Sequence, residues 1–445
     1  MYRTRKVHTC LLLITVIMAQ YATAASKIAG SRTKPFLVSA KKSTNEVACR
    51  KVRFATFNAS LNRDKAGQLL QELQTNSSLQ AAQVSHILQI IRPDVLLLNE
   101  FDYEPQHAAV EAFQTNYLAV PQAAGLEPLQ YQFAYTDTVN TGVPSGRDFN
   151  HDGKSEGPQD CFGFGNHPGQ YGMVLLSRFP IDSSSIRTFQ FFLWADMPGA
   201  VLPTDPATGQ PWYSEEDLQV FRLSSKSHWD VPIDIPCGDA PAAGCADASS
   251  PGCNSPTRRV HMLLHHPTPP AFDGPEHRNV MRNHDEIRLW ADYVGCGRPE
   301  SGTYLVDDAG VAGGLAPGAS FVIMGDHNAD PLDGGAAAAE LHLQPAIDQL
   351  LGCCQVNAGF VPTSEGGRQA GNRHPWDETP AETKTSSFDL RVDYVLPSRD
   401  LPVLGGGVWW PVKQDPLAGL LEASDHRPVY LDVEVCAQSV ATSVL

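Results

Sequence analysis

The chain has 445 residues, 42% of them apolar, a formal net charge of −16, and 36 glycines and 34 prolines concentrated between apolar runs. This composition excludes a disordered chain, and the lack of a fixed period or heptad excludes solenoids and coiled coils. The negative charge excludes a general attraction to nucleic acid or anionic membrane, while suiting the binding of cations.

At the start of the chain, Arg3, Arg5 and Lys6 precede the apolar run CLLLITVIMA, and the small residues of ATA at 22–24 precede Ala25. This is the three-part pattern of a secretory signal peptide, so residues 1–24 are expected to be removed and the protein to be periplasmic or extracellular. The rival reading, an uncleaved anchor, is disfavoured because the run is short for a bilayer span. Cleavage would remove three basic and no acidic residues, leaving 30 against 49, or −19. Residues 25–48 read as a linker, 49–436 as the folded domain and 437–445 as a tail.

The elements then follow in order. VRFATFN (52–58) alternates apolar and polar residues as a strand does. QAAQVSHILQII (80–91) sets Val84, Ile87, Leu88 and Ile91 on one helical face, Pro93 ends that helix, and DVLLLNE (94–100) is a buried strand. Further strands are expected in 172–181, 259–266, 320–328, 390–398 and 428–435, with a helix at 282–294. Between them lie Pro/Gly-rich stretches, chiefly 136–170, 195–256 and 355–387. Loops of such length are usually functional.

Nine cysteines would remain after cleavage: 49, 161, 237, 245, 253, 296, 353, 354 and 436. An exported protein meets oxidising conditions, so disulfides are expected, and the odd number leaves at least one thiol without a partner in the chain. No CxxC pair occurs. Cysteines 237, 245 and 253 are too widely spaced for a zinc knuckle, so their segment reads as a disulfide-pinned surface loop.

Strand after strand ends in a residue able to hold a metal or a phosphate: Asn58, Glu100, His266, Asp326 with Asn328, and Asp425 with His426 before the last. A single Asn or Asp in such a place is more often a turn residue, and a single His more often a structural one. The ordered set outweighs those readings, because rigid strands carrying polar groups at one edge are how layered α/β folds build sites.

The segments FATFNASL, PDVLLLNEFD, GQYGMVLLSRFPI, LHHPTPP, MGDHNADP, LRVDYVLPS and ASDHRPVYLDV, in that order over residues 52–435, resemble the endonuclease/exonuclease/phosphatase superfamily of metal-dependent phosphoesterases. Pancreatic-type deoxyribonucleases, abasic-site endonucleases, inositol polyphosphate phosphatases and bacterial sphingomyelinases belong to it. The resemblance implies an α/β fold: a four-layer sandwich of two mixed β-sheets flanked by helices, with long ordered loops and the site at one edge. It also implies that Glu100, with Asn58 and Asp425, holds a divalent cation, Mg²⁺ or Mn²⁺. Asp326 would position or deprotonate the attacking water, with Asn328 as its partner. His426, oriented by Asp393, and His266 would face the phosphate, although His261 and His265 are close enough to leave the last choice open. Some family members have a carboxylate where this chain has Ser60, so a metal site needing it is in doubt. His327 is expected to face solvent. No GxSxG, HExxH or GxxxxGK[ST] motif occurs, which weakens other hydrolase readings.

One motif stands apart. DFNHDGKSEGPQD (148–160) spaces Asp148, Asn150, Asp152 and Gly153 as in a calcium loop, with Gln159 at position twelve and Asp160 one step later to close the shell. It is expected to hold structural Ca²⁺. Two functions are therefore weighed: a secreted hydrolase of phosphoesters, whether nucleic acid or small molecule, and a non-catalytic, calcium-stabilised extracellular binding module on the same fold. The completeness of the strand-end set favours the enzyme. No obligate protein partner is evident, and no dense basic stripe interleaved with aromatics marks a nucleic-acid track.

Overall fold

A computed structural model describes residues 48–238, 256–297, 300–333 and 336–437. The expected leader, all of the linker but Ala48, cysteines 245 and 253, and all of the tail but Ala437 lie outside the described residues.

Alternation in the strands builds the layers. In β1 (Cys49–Leu61), Val52 and Phe54 point one way and Ala55 and Phe57 the other, and all four are buried. Such double burial needs a cover on both faces. β1 is joined by β2 (Val95–Phe101), β3 (Phe133–Tyr135) and β4 (Met173–Ser177). The second sheet takes β5 (Arg187–Thr188), β6 (His228–Pro236), β7 (Thr257–His265), β8 (Ser320–Asp326) and β9 (Asp393–Pro397). β10 (Val403–Val408) and β11 (Val429–Cys436) return to the first. The orders are β10-β11-β1-β2-β4-β3 and β5-β6-β7-β8-β9, with β1–β2 and β7–β8 parallel and all other pairs antiparallel.

The two sheets close on one core that includes Val52, Phe54, Leu97, Trp229, Met262, Leu264, Met324 and Leu431. Helix Leu79–Ile91 is capped by Ser78, whose hydroxyl accepts from Ala81 N, and ends at left-handed Arg92 just before Pro93. It lays Val84, Ile87, Leu88 and Ile91 on the outer face of the first sheet. Helix Arg278–Tyr293 lays Ile287, Leu289 and Trp290 on the outer face of the second. Each such side chain stabilises the fold by about 1.5–3 kcal/mol when fully buried. The architecture is thus two mixed sheets, of six and five strands, between helical layers. Among the described residues no helix is long and apolar enough to cross a membrane.

Among the described residues, two disulfides are formed. Cys49–Cys436 joins directly paired residues of β1 and β11, and Cys296–Cys353 ties the end of helix Arg278–Tyr293 to a later loop. Cys161 and Cys237 are buried thiols and Cys354 an exposed one. This corrects the expected role of Cys237: its sulfur points inward against Ile235 O and does not pin the loop that follows.

Candidate functional site

β1 and β2 run parallel, as do β7 and β8, so their C-terminal ends meet at one edge; β9 and β11, antiparallel to their neighbours, begin there. Register therefore gathers Asn58, Glu100, His266, Asp326, Asp393 and His426 from six strand ends. Parity decides which histidine of RVHMLLHH takes part. Met262 and Leu264 face the space between the sheets, so His266, of the same parity, faces the cleft at its rim. His265 turns into the core beside His228 and Trp290, and His261 pairs with Asp230 at 2.8 Å.

Asp326 is the hub. Its Oδ2 accepts from Asn58 Nδ2 at 3.0 Å and lies 3.3 Å from His266 Nε2 and 3.6 Å from His426 Nε2. Its Oδ1 accepts from Asn328 N at 2.9 Å. Gly325 lets β8 approach β7 at this point, since a Cβ there would stand 2.1 Å from His265 O. Asn58 Nδ2 also donates to Glu100 Oε1 at 3.0 Å, while Asn62 Nδ2 donates to Glu100 Oε2 at 2.8 Å. Asp393 Oδ2 accepts from His426 Nδ1 at 2.9 Å and from Thr385 Oγ1 at 2.8 Å. Asp425 is exposed and accepts from Ser60 Oγ at 3.3 Å. Three non-glycine residues here, Ser60, Glu100 and Asn328, have φ between 50° and 59°. Such backbone costs of order 1–3 kcal/mol where the side chain does not favour it, and it collects at sites whose geometry must be held.

Charge is ordered in the same way. Burial lowers the tendency of His426 to hold a proton, but the Asp393 and Asp326 carboxylates outweigh it and push the imidazole up to about 10. Burial pushes Asp393 up to about 6 against the pull of His426. Burial would raise Asp326 too, yet the His426 cation, His266 and the Asn58 amide hold it below the usual carboxylate range. Burial and the Lys226 cation lower His266. At neutral pH the edge carries an anionic Asp326, a cationic His426 on an anionic Asp393, and a neutral His266.

For a divalent cation, Glu100 offers a half-exposed carboxylate held only by amide donors, and Asp425 a second one nearby through Ser60. Hard oxygen donors of this kind suit Mg²⁺ or Mn²⁺. Asn58 fits less directly: its Oδ1 accepts from Ser60 N here, so acting as a ligand would require its amide to turn. Asp326, Asp393 and His426 also converge closely enough to hold an ion, but the cationic imidazole between the two carboxylates already balances them.

His327 corrects the sequence reading. It is fully buried, its N donates to Val392 O, and its ring lies 4.3 Å from that of His265 and 5.1 Å from that of Tyr394. Two residues were missed. Lys226 is buried, which lowers its affinity for a proton, while Glu286, Glu100 and Asp326 pull the other way. Glu286 accepts from Ser225 N and Thr268 N, both at 2.6 Å, and so clasps the segments bearing Lys226 and His266. The only signal for either was the helical spacing of Arg282 and Glu286; Arg282 likewise grips Leu223 O and Phe162 O.

A two-sheet sandwich with carboxylates, imidazoles and amides converging on one edge defines a class of α/β hydrolytic site suited to phosphoesters. A sequence model of the endonuclease/exonuclease/phosphatase family matches residues 55–426, and the chain belongs to that family. Membership supports a phosphoester hydrolase. No curated protein matches the sequence significantly. Similar solved structures include an endonuclease/exonuclease/phosphatase from Beutenbergia cavernae DSM 12333, 17% identical, covering 87% of this chain and 72% of that one at a TM-score of 0.39. Another is the beta toxin of Staphylococcus aureus with bound magnesium ions, 12% identical, covering 86% and 99% at 0.37. A third is a mannosyl-6-phosphatase of Bacteroides thetaiotaomicron VPI-5482, 10% identical, covering 86% and 99% at 0.36.

Proposed function

We propose that the protein is an exported, divalent-metal-dependent hydrolase in which water attacks the phosphorus of a phosphoester. The observation that carries this reading is the convergence of Asn58, His266 and His426 on the single oxygen Asp326 Oδ2, within 3.0 to 3.6 Å. That arrangement keeps Asp326 anionic and makes it a weak base. Its role is then chiefly to orient the water in line, with Asn328 beside it, and to accept the proton as the bond to phosphorus forms.

His426 holds its proton too firmly to be an efficient acid. It acts instead as a fixed cation against the charge that develops on the phosphate oxygens, with Asp393 setting its tautomer and angle. Lys226, lowered by burial but faced by Glu286, Glu100 and Asp326, would add positive charge to the phosphate site, and neutral His266 a donor. A divalent ion held by Glu100, with Asp425 and Asn58, would supply Lewis-acid neutralisation of the phosphate. The excess of 49 acidic over 33 basic residues favours a small phosphoester over a long polyanion.

The test is hydrolysis of p-nitrophenyl phosphate, bis-p-nitrophenyl phosphate, plasmid DNA and RNA by purified protein with Mg²⁺, with Mn²⁺ and with chelator. Metal-dependent turnover in at least one class is expected, and Asp326→Asn should lower it by on the order of 10² to 10⁴. Turnover of Asp326→Asn equal to wild type overturns the mechanism. Absence of turnover in every class overturns the enzyme reading in favour of the binding module.

A further inference from the structure

We propose that residues 148–160 form a site for one Ca²⁺, built on oxygen ligands and sharing no hydrogen bond with the strand-end residues above. Carboxylate oxygens of Asp148, Asp152 and Asp160 lie within 4.8 Å of one another. Two oxygens each about 2.4 Å from a shared calcium ion can be at most about 4.8 Å apart, so the three fit around one ion. The independent observation is Asp160. It is only 2% exposed; its Oδ1 accepts from Phe149 N at 2.9 Å, but its Oδ2 is buried with no partner. A buried carboxylate oxygen left unmet is costly, and an ion is the partner that removes the cost. Burial and the charges of Asp148 and Asp152 hold the Asp160 carboxyl above its ordinary range, against the backbone N–H groups that face it.

The fold shows what such an ion would secure. Phe149, between two of the candidate ligands, is buried with its ring 4.6 Å from that of Phe221 and 5.8 Å from that of Tyr213. Its carbonyl accepts from Trp212 Nε1 and Arg278 Nη1. The arms of the loop are tied by Ser145 N to Asp160 O and Phe162 N to Val143 O, and Arg282 holds Phe162 O. An ion joining Asp148, Asp152 and Asp160 would close this hairpin onto the second core cluster, leaving Lys154 exposed at its tip.

The test uses full-length protein freed of metal by chelator. Terbium luminescence excited through indole reads the site, because the Trp212 ring stacks at 4.2 Å on His151 of the loop. Wild type should give a saturable signal displaced by Ca²⁺ but not by equal Mg²⁺. It should gain several degrees of melting temperature with Ca²⁺ and lose tryptic cleavage after Lys154. Asp148→Asn and Asp152→Asn, both isosteric and outside the core, should each weaken Ca²⁺ binding at least tenfold while metal-dependent turnover changes less than twofold. Glu100→Gln should keep the luminescence. No calcium-dependent signal in wild type, or a signal unchanged in both Asp variants, overturns the site.

Discussion

Asp393→Asn keeps the shape of the side chain and removes one charge. His426 is raised to about 10 although burial opposes it, and Asp393 is the largest contributor among the three carboxylates, Asp393, Asp326 and Asp425, that raise it. The gap from the ordinary 6.5 is worth on the order of 5 kcal/mol at about 1.36 kcal/mol per pH unit. At pH 7 the wild-type imidazole is protonated by on the order of a thousand to one. Without Asp393, burial is opposed only by Asp326 and Asp425, so His426 should release its proton at lower pH and the cation beside Asp326 should be weakened. Turnover should then fall by on the order of 10² to 10⁴, with partial recovery as pH is lowered toward 5.5. His426→Ala should match it without recovery, and the double variant should be little worse than either, since the two act as a unit. Stability carries the same sign. A raised histidine contributes fully below about 6.5 and loses its contribution as pH rises through about 10. The wild-type melting temperature should therefore fall across that window more than that of Asp393→Asn. The assay is kcat, KM and melting temperature from pH 5 to 10 for the four proteins. Wild-type kcat for Asp393→Asn at pH 7, or losses that add in the double variant, would refute the reasoning.

Glu100→Gln should raise the Mg²⁺ concentration needed for half-maximal turnover at least tenfold with little change in melting; an unchanged Mg²⁺ titration removes Glu100 from the metal site. Lys226→Met should lower kcat by on the order of 10², whereas an effect confined to melting temperature would make Lys226 structural. Glu286→Gln keeps one acceptor of the clasp, so kcat should fall less than for Glu286→Ala, and equal losses would contradict a positioning role. Burial pushes His228 and His327 down to about 4 and His265 well below its ordinary value. The unfolded chain therefore takes up protons near 6.5 that the folded one refuses, and stability should drop by roughly 2 kcal/mol for each of His228 and His327 between pH 7 and 5. Equal urea midpoints at the two pH values would show that these histidines are not held neutral.

The strands that build the edge were legible as short apolar stretches, alternating in VRFATFN and continuous in DVLLLNE and SFVIMGD, and the polar residue ending each one stands out against them. β6 was not: Pro232 and Pro236 interrupt it, which is tolerated because β5 covers only Asp230 and Trp229 of its outer side. β10 was hidden by the glycines 405 to 407, one of which must be small because a Cβ on Gly406 would meet Tyr430 O at 2.4 Å. Lys226, between serines in SSKS, reads as a solvated charge; only packing of helix Arg278–Tyr293 over that segment buries it. His327, expected to face solvent, follows the end of β8, where its N donates to Val392 O and its ring is buried against His265 and Tyr394, packing that a polar residue between Asp326 and Asn328 does not reveal in sequence.

The bond between Cys49 and Cys436 gives the domain an unusual topology for engineering. Ala437 N donates to Ala48 O at 2.9 Å, so the domain begins and ends at one point, with the bridged cysteines 387 apart in sequence. Asn58 stands nine residues along β1, roughly 30 Å away at about 3.3 Å per residue. A short peptide could join 48 to 437 into a closed ring, and the ring could be reopened at another surface loop without cutting any strand that carries the cleft. A protein tethered at residue 48 or 437 would likewise present the strand-end cleft away from the tether.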